Sequence, residues 1–232
     1  MIKYILFDLD DTLYPKEIGL MAAIGQRIHQ YMEERVGLDP MMARDLRRHY
    51  LKTYGTTLKG LRVHYNIDTE EYLAYVHDVP LGDYLKPDEA LDRALTEIQA
   101  EKVVFTNATT EHAHRVLRFL GVEHHFSRIV DLRATNYENK PRPRAYRCVL
   151  DILGARPEEC LMVEDSVRNL RPAKEMGMIT VLVNGSGGDG VDFAIDAVTQ
   201  MVEVCKRIRD SRFERDDDQQ SHNLDRSSET GP

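Results

Sequence analysis

The chain has no tryptophan, only three cysteines and no excess of basic residues in a length of 232. Cys148, Cys160 and Cys205 have neither the spacing of a zinc site nor that of a redox pair, and an odd number suits a reducing compartment. No apolar run approaches the ~18 residues that cross a bilayer, so no membrane partner is expected. The N-terminal apolar stretch is short and ends in acids, unlike a secretory signal, and a cytoplasmic location is expected. Acids number 39 against 31 lysines and arginines, a net charge of −8. No basic stripe with interleaved aromatics is present, which argues against a nucleic-acid polymer as partner. Residues 214–232 contain six of the acids and two arginines, half of the net charge, with a single leucine as their large apolar residue. Such a segment buries too little to order itself, and 210–232 reads as a disordered acidic tail. The rest of the chain is expected to act as a monomer or homodimer.

What is present is more specific. Tyr4-Ile5-Leu6-Phe7 is a short apolar run bounded by charge, the pattern of a fully buried parallel strand. Asp8-Leu9-Asp10-Asp11-Thr12 follows it directly. In open α/β sheets the ligand crevice lies at the carboxyl ends of the strands. Burying several carboxylates there is costly unless a cation or hydrogen bonds compensate, so the cluster points to a divalent metal.

Downstream, strands are expected at 102–105, 128–130, 161–163 and 179–183, with 194–197 as a short edge strand and a helix to about residue 209. The alternation with helices predicts parallel crossovers and an α/β, doubly wound parallel sheet of Rossmann-like type. Between residues 14 and 99 only helical patterns occur. Met21, Ile24, Ile28, Met32 and Val36 mark one helix face before Gly37. Asp39-Pro40 reads as N-cap and first residue of a second helix. Asp68 with Glu71 reads as a capping box, and Asp88 opens a further helix to about Gln99.

Three more strand ends carry chemistry. Thr106-Asn107 follows the second strand, where a hydroxyl and backbone N–H groups can hold phosphoryl oxygens; the same residues also fit an ordinary helix cap. Lys140 precedes Pro141 and is thereby kept out of the following helix. Its cation can neutralise a phosphate and the Asp8 carboxylate. Glu164-Asp165 ends the strand at 161–163, and one or two carboxylates suffice for Mg²⁺, which keeps several waters. Asn169 is placed to cap the next helix, with Pro172 in its first turn.

These four segments, in this order, resemble the motifs of the haloacid dehalogenase-like hydrolases. The resemblance covers about residues 1–205. It implies that Asp8 is the nucleophile that forms an aspartyl phosphate, and that Asp10 is the general acid and base. It implies that Thr12 braces the turn, that Thr106, Asn107 and Lys140 hold the phosphoryl group, and that Mg²⁺ is the cofactor. The metal ligands would be the Asp8 and Asp165 carboxylates and the Asp10 backbone carbonyl, with Glu164 and Asn169 supporting them. Glu164 departs from the usual Asp or Gly, and Asn169 from a frequent Asp. A dehalogenase has no alkoxide to protonate, so the second acid at Asp10 favours phosphate-ester chemistry. The helical stretch at 16–84 resembles the small cap of one branch of the family, inserted into a core of 1–15 and 85–209.

Within that branch the chain resembles the pyrimidine 5′-nucleotidases in Asp8-Leu9-Asp10-Asp11-Thr12-Leu13-Tyr14-Pro15, in Phe105-Thr106-Asn107, in Val163 to Asn169 and in Tyr54-Gly55-Thr56-Thr57-Leu58-Lys59-Gly60-Leu61. The last segment fits equally well as a glycine-rich joint between two helices. Lys59, Arg62, His64 and Tyr65 are candidates to face a substrate. The expected function is Mg²⁺-dependent hydrolysis of a small phosphorylated metabolite, a nucleoside 5′-monophosphate with pyrimidines favoured. A sugar phosphomutase, a phosphatase of another small phosphometabolite and a catalytically silent phosphate-binding module are the alternatives. No metal role is expected for the histidines.

Overall fold

A computed structural model describes residues 1–210. Its sheet follows from side chains that alternate between two buried faces. Ile5 and Phe7 enter one hydrophobic cluster and Leu6 the other; Leu161 and Val163 likewise oppose Cys160 and Met162. Strands that are apolar on both faces need helices on both, and parallel crossovers supply them. The strands are β1 (Tyr4–Phe7), β2 (Glu101–Phe105), β3 (Phe126–Val130), β4 (Cys160–Glu164), β5 (Ile179–Val183) and β6 (Phe193–Ile195). All pair in parallel, in the order β3-β2-β1-β4-β5-β6. The order reverses between β1 and β4, and a doubly wound sheet opens its ligand crevice beyond the strand ends at that point. Asp8 and Asp165 stand there.

Of the five helices between β1 and β2, the first four form the insertion: α1 (Leu20–Glu34), α2 (Pro40–Tyr54), α3 (Thr57–Tyr65) and α4 (Thr69–His77). They close around a cluster of their own, with Tyr31, Tyr50, Leu61 and Tyr72 at its centre and Leu132 reaching in from beyond β3. Asp39 caps α2 through the Met41 and Met42 N–H groups, with Pro40 in first position. The Asp68 cap of α4 forms only half of the expected box. Its carboxylate accepts from the Glu70 and Glu71 N–H groups, but the Glu71 side chain accepts from the Tyr31 hydroxyl instead. Gly60 is forced by packing: a Cβ there would stand 2.1 Å from the Tyr50 ring.

The remaining helices are α5 (Glu89–Glu97), α6 (Thr110–Leu120), α7 (Pro143–Leu153) and α8 (Val167–Met176), followed by helical residues 201–210. Asn169 does not cap α8 as expected. Ser166 holds that position, and Pro172 lies inside the helix. The reason is local: β4 runs one residue further than expected, through Glu164, and the helix begins at Val167. Among the described residues no helix is long and apolar enough to cross a membrane. The expected disordered tail falls, but for Asp210, outside the described residues.

Candidate active site

Asp8 directly follows β1, and its N–H still donates to the Val163 carbonyl of β4 at 2.9 Å. Its carboxylate is therefore fixed to the sheet. Oδ1 accepts from Lys140 Nζ at 2.7 Å and Oδ2 from the Thr12 hydroxyl at 3.2 Å, so Thr12 braces the carboxylate itself. Burial pushes the Asp8 pKa up to about 7; Glu164 and Asp10 push the same way, and Lys140 opposes them. The turn that follows carries Asp11 at φ +60°, and burial with the neighbouring Asp10 and Asp8 raises Asp11 to about 6.

Asp10 points the other way, toward α6. Its Oδ1 meets His112 Nε2 at 2.9 Å and accepts from the Tyr14 hydroxyl at 2.6 Å. Burial alone would raise this carboxyl, but His112 and the Tyr14 hydrogen bond outweigh it and hold the pKa below the ordinary value. The His112 ring stacks on His77 of α4, centroids 4.5 Å apart, and burial drives His77 down to about 3. Neither histidine nor Tyr14 was assigned a role from sequence. Tyr14 carried a signal, four residues beyond Asp10 in a turn; His112 carried none, since only the fold brings α6 to the β1 loop.

Lys140 is buried and bonds both Asp8 and Glu164, at 2.7 and 3.0 Å. Burial would lower its pKa, but the two carboxylates outweigh it and keep the ammonium charged. Asn107, expected to touch phosphate, spends its side chain on the backbone of Lys140: Oδ1 accepts from the Lys140 N–H at 2.8 Å and Nδ2 donates to its carbonyl at 3.1 Å. Asn107 thus sets where the lysine stands. The Thr106 hydroxyl accepts from the Ala108 N–H at 3.0 Å.

Beyond β4, the Glu164 carboxylate is filled by Lys140, the Ser166 N–H and the Asn169 amide. Among the described residues Asp165 pairs with no cation, and burial, with Asp8 beside it, raises its pKa. Ligand atoms of Asp8, Glu164 and Asp165 lie within 4.8 Å of one another. Among the described residues Lys140 is the one ammonium paired with them, and the buried Asp11 Oδ1 has no partner. An all-oxygen cluster with uncompensated negative charge fits Mg²⁺. With Glu164 occupied, Asp8 and Asp165 are the carboxylates left for it, beside the Asp10 carbonyl.

These groups open onto a cavity of about 280 Å³ between the strand ends and the helical insertion. Asp8, Asp10, Thr106, Asn107, Lys140 and Asp165 all border it. From the segment Tyr54 to Leu61, Gly55, Thr56, Thr57 and Leu58 line it, but Lys59 does not. Lys59 turns to Glu138 at 4.0 Å, Arg62 lies over the Tyr137 ring, and His64 bonds the Tyr54 hydroxyl at 2.8 Å. The helical period explains this: Thr57, Leu58, Gly60 and Leu61 take the buried face of α3, and Lys59, Arg62 and His64 stand off it.

The sequence matches the haloacid dehalogenase-like hydrolase family over residues 2–177. The chain belongs to that family. It is therefore an enzyme of the hydrolase class. Its relatives include glyceraldehyde 3-phosphate phosphatase of Methanocaldococcus jannaschii, 28% identical over 90% of this chain and 99% of the relative. They also include phosphate metabolism protein 8 of Saccharomyces cerevisiae, 28% identical over 76% of this chain; the match spans 60% of that longer protein. A crystal structure of a haloacid dehalogenase phosphatase from Thermococcus onnurineus superposes with a TM-score of 0.60 at 20% identity, covering 88% of this chain and 98% of that one, which establishes the shared fold. In this hydrolase the β1 and β4 carboxylates meet at the sheet's switch point. One further group stands apart from them: Asp92, His124 and His125, denied a metal role from sequence, bring ligand atoms within 4.8 Å of one another on the surface.

Proposed function

We propose that this hydrolase is an Mg²⁺-dependent phosphomonoesterase that works through an aspartyl phosphate. The observation that carries the reading is the pair Asp8 and Asp10, two carboxylates on one short loop held by opposite partners. Asp8 is gripped by Lys140 and Thr12; Asp10 is gripped by His112 and Tyr14. Both face one cavity.

In the free enzyme His112 and Tyr14 favour the charged form of Asp10, and the arriving phosphate dianion raises its affinity for a proton from solvent. A carboxylate oxygen of Asp8 attacks phosphorus as the bond to the leaving oxygen breaks, and Asp10 gives that proton to the leaving oxygen. Asp10, now a carboxylate, then takes a proton from water. The resulting hydroxide attacks the phosphoenzyme, breaks the Asp8–phosphate link and releases inorganic phosphate. Lys140 offsets negative charge on Asp8 and the phosphoryl oxygens throughout. Thr106 borders the same end of the cavity and offers its hydroxyl to a phosphoryl oxygen. Mg²⁺, held by Asp8, Asp165 and the Asp10 carbonyl, would supply charge neutralisation for a dianion approaching an anion.

The substrate class we favour is a nucleoside 5′-monophosphate, with UMP and CMP ahead of purine nucleotides. Its support is that the nucleotidase-like segment borders the cavity through Gly55 to Leu58. A three-carbon phosphate is the second reading, favoured by the full-length similarity to the archaeal phosphatase. The test is a panel of nucleotides, sugar phosphates and three-carbon phosphates with Mg²⁺, read as released phosphate, together with acid-quench trapping of labelled phosphoenzyme on Asp8. Release of phosphate supports hydrolysis, and an isomeric sugar phosphate would make the enzyme a mutase. Absence of turnover across the panel would leave only a phosphate-binding module.

A further inference from the structure

The insertion presents the cavity with apolar side chains and one permanent cation. Arg47 of α2 lines it beside Ile24, Ile28, Tyr72 and Leu73. Among the described residues its guanidinium has no hydrogen bond or ion pair, and its buried Nε has no partner. Gly25 makes room for it: a Cβ there would stand 2.8 Å from Nη2. Thr57 contributes a second buried and unpartnered polar atom, Oγ1, to the same cavity. Desolvation pulls the Arg47 pKa down, with no carboxylate to offset it. A half-buried cation left without a counterpart is costly, and such a site is retained where a ligand completes it.

We propose that Arg47 is the receptor for the leaving group: it binds a planar oxygen acceptor on the alcohol half of the substrate, either a base carbonyl or a carboxylate. The inference rests on the phosphomonoesterase reading and narrows its substrate. The two other basic groups at the cavity do not serve this end. Lys140 is committed to Asp8 and Glu164, and His77 is kept neutral by burial. A single guanidinium matches a carbonyl dipole or a monoanion; a second phosphate dianion would call for more positive charge than the insertion offers. The planar fork of arginine suits such acceptors through paired N–H donors.

The experiment compares wild type with Arg47→Ala, Arg47→Gln and Arg47→Lys on three probes. UMP carries base carbonyls, 2-phosphoglycolate a carboxylate, and phenyl phosphate neither. Arg47→Ala and Arg47→Gln should lower kcat/KM for UMP or for 2-phosphoglycolate about tenfold or more beyond any loss on phenyl phosphate, mainly through KM. Arg47→Lys should recover part of that loss, since a point charge lacks the fork. A selective loss on UMP identifies the base carbonyl, and a selective loss on 2-phosphoglycolate the carboxylate. Equal losses on all three probes, or none, would overturn the proposal and leave Arg47 a packing residue. Calorimetric binding of UMP and 2-phosphoglycolate to Asp8→Asn protein, with and without Arg47→Gln, separates the two readings. Wild type without turnover on any probe sinks the phosphomonoesterase; binding unaffected by Arg47→Gln sinks the receptor.

Discussion

Asp8 has to ionise at the floor of a cavity where burial favours its neutral form. Its pKa rises from the ordinary 3.8 to about 7, so between those values the native protein holds a proton that the unfolded chain has lost. Native stability must then fall as pH rises through that window. Asp8→Asn removes the penalty along with the proposed nucleophile. The expected outcome is a folded protein without turnover, whose melting temperature in chelator exceeds that of wild type by more at about pH 8 than at about pH 5.5. A gain independent of pH would show that burial does not control this group; residual turnover would sink the covalent mechanism. In the proposed mechanism Asp10, held by His112 and Tyr14, has the different task of proton transfer. Asp10→Asn should cost ~10² to 10⁴ in rate. During phosphoenzyme formation the loss should shrink for nitrophenyl phosphate, whose leaving group needs no proton. An equal loss for all leaving groups in that step would contradict the assignment.

The joint between α2 and α3 is the element on which core and insertion depend together. Gly55 ends α2 at φ +89°, a region that L side chains avoid, and a Cβ there would come 2.5 Å from Asn139 Nδ2 and 3.0 Å from the Lys140 carbonyl. Asn139 Nδ2 also donates to the Tyr54 carbonyl at 3.0 Å, so the joint rests on the loop that carries the lysine. Gly55→Ala should cost about 1 to 3 kcal/mol of stability from backbone strain, and should lower kcat because the loop displaced is the one that places Lys140. Thermal unfolding and kcat of the purified variant test this; full kcat with lowered stability would show that the joint supports the fold but not the site.

At the scale of the whole molecule, the acidic crevice needs a counterion that the described residues do not supply. Exhaustive chelation should abolish turnover and added Mg²⁺ restore it, while Asp165→Ala should mimic chelation. Because the metal binds the ionised carboxylates, Mg²⁺ should raise the melting temperature more at about pH 8 than at about pH 5.5, the reverse of the trend in chelator. Full activity in chelator would refute the metal role. Core and insertion are also latched by charge-assisted bonds: Arg115 donates to the His77 and Val79 carbonyls and Arg168 to those of Leu51 and Lys52. Leu51 and His77 line the cavity, so these ties fix two points of its wall.

Short-range rules made much of this legible from residues alone. Apolar runs ending in acids marked β1 and β4, Asp39-Pro40 marked the start of α2, and Lys140-Pro141 kept the lysine in a loop, because strand burial, capping and proline sterics are decided by neighbours in the chain. Asp8, Lys140 and Asp165 could be read for the same reason, each standing where its own strand or loop stops. The roles of His112, Asn107 and Arg47 could not. His112 reaches Asp10 across 102 positions and Asn107 reaches Lys140 across 33, so these contacts exist only after β1, β2 and β3 have paired. Likewise Lys59 and His64 looked fit to face a substrate and Arg47 was not singled out, since charge pattern does not say which face of a helix is covered. The packing of α2 and α3 through Gly60 and Tyr50 turned Lys59 and His64 away from the cavity, and the notch at Gly25 took in Arg47. The sequence determined which groups stand at the strand ends; only the tertiary structure decided which partners hold them and which side chains of the insertion look down on them.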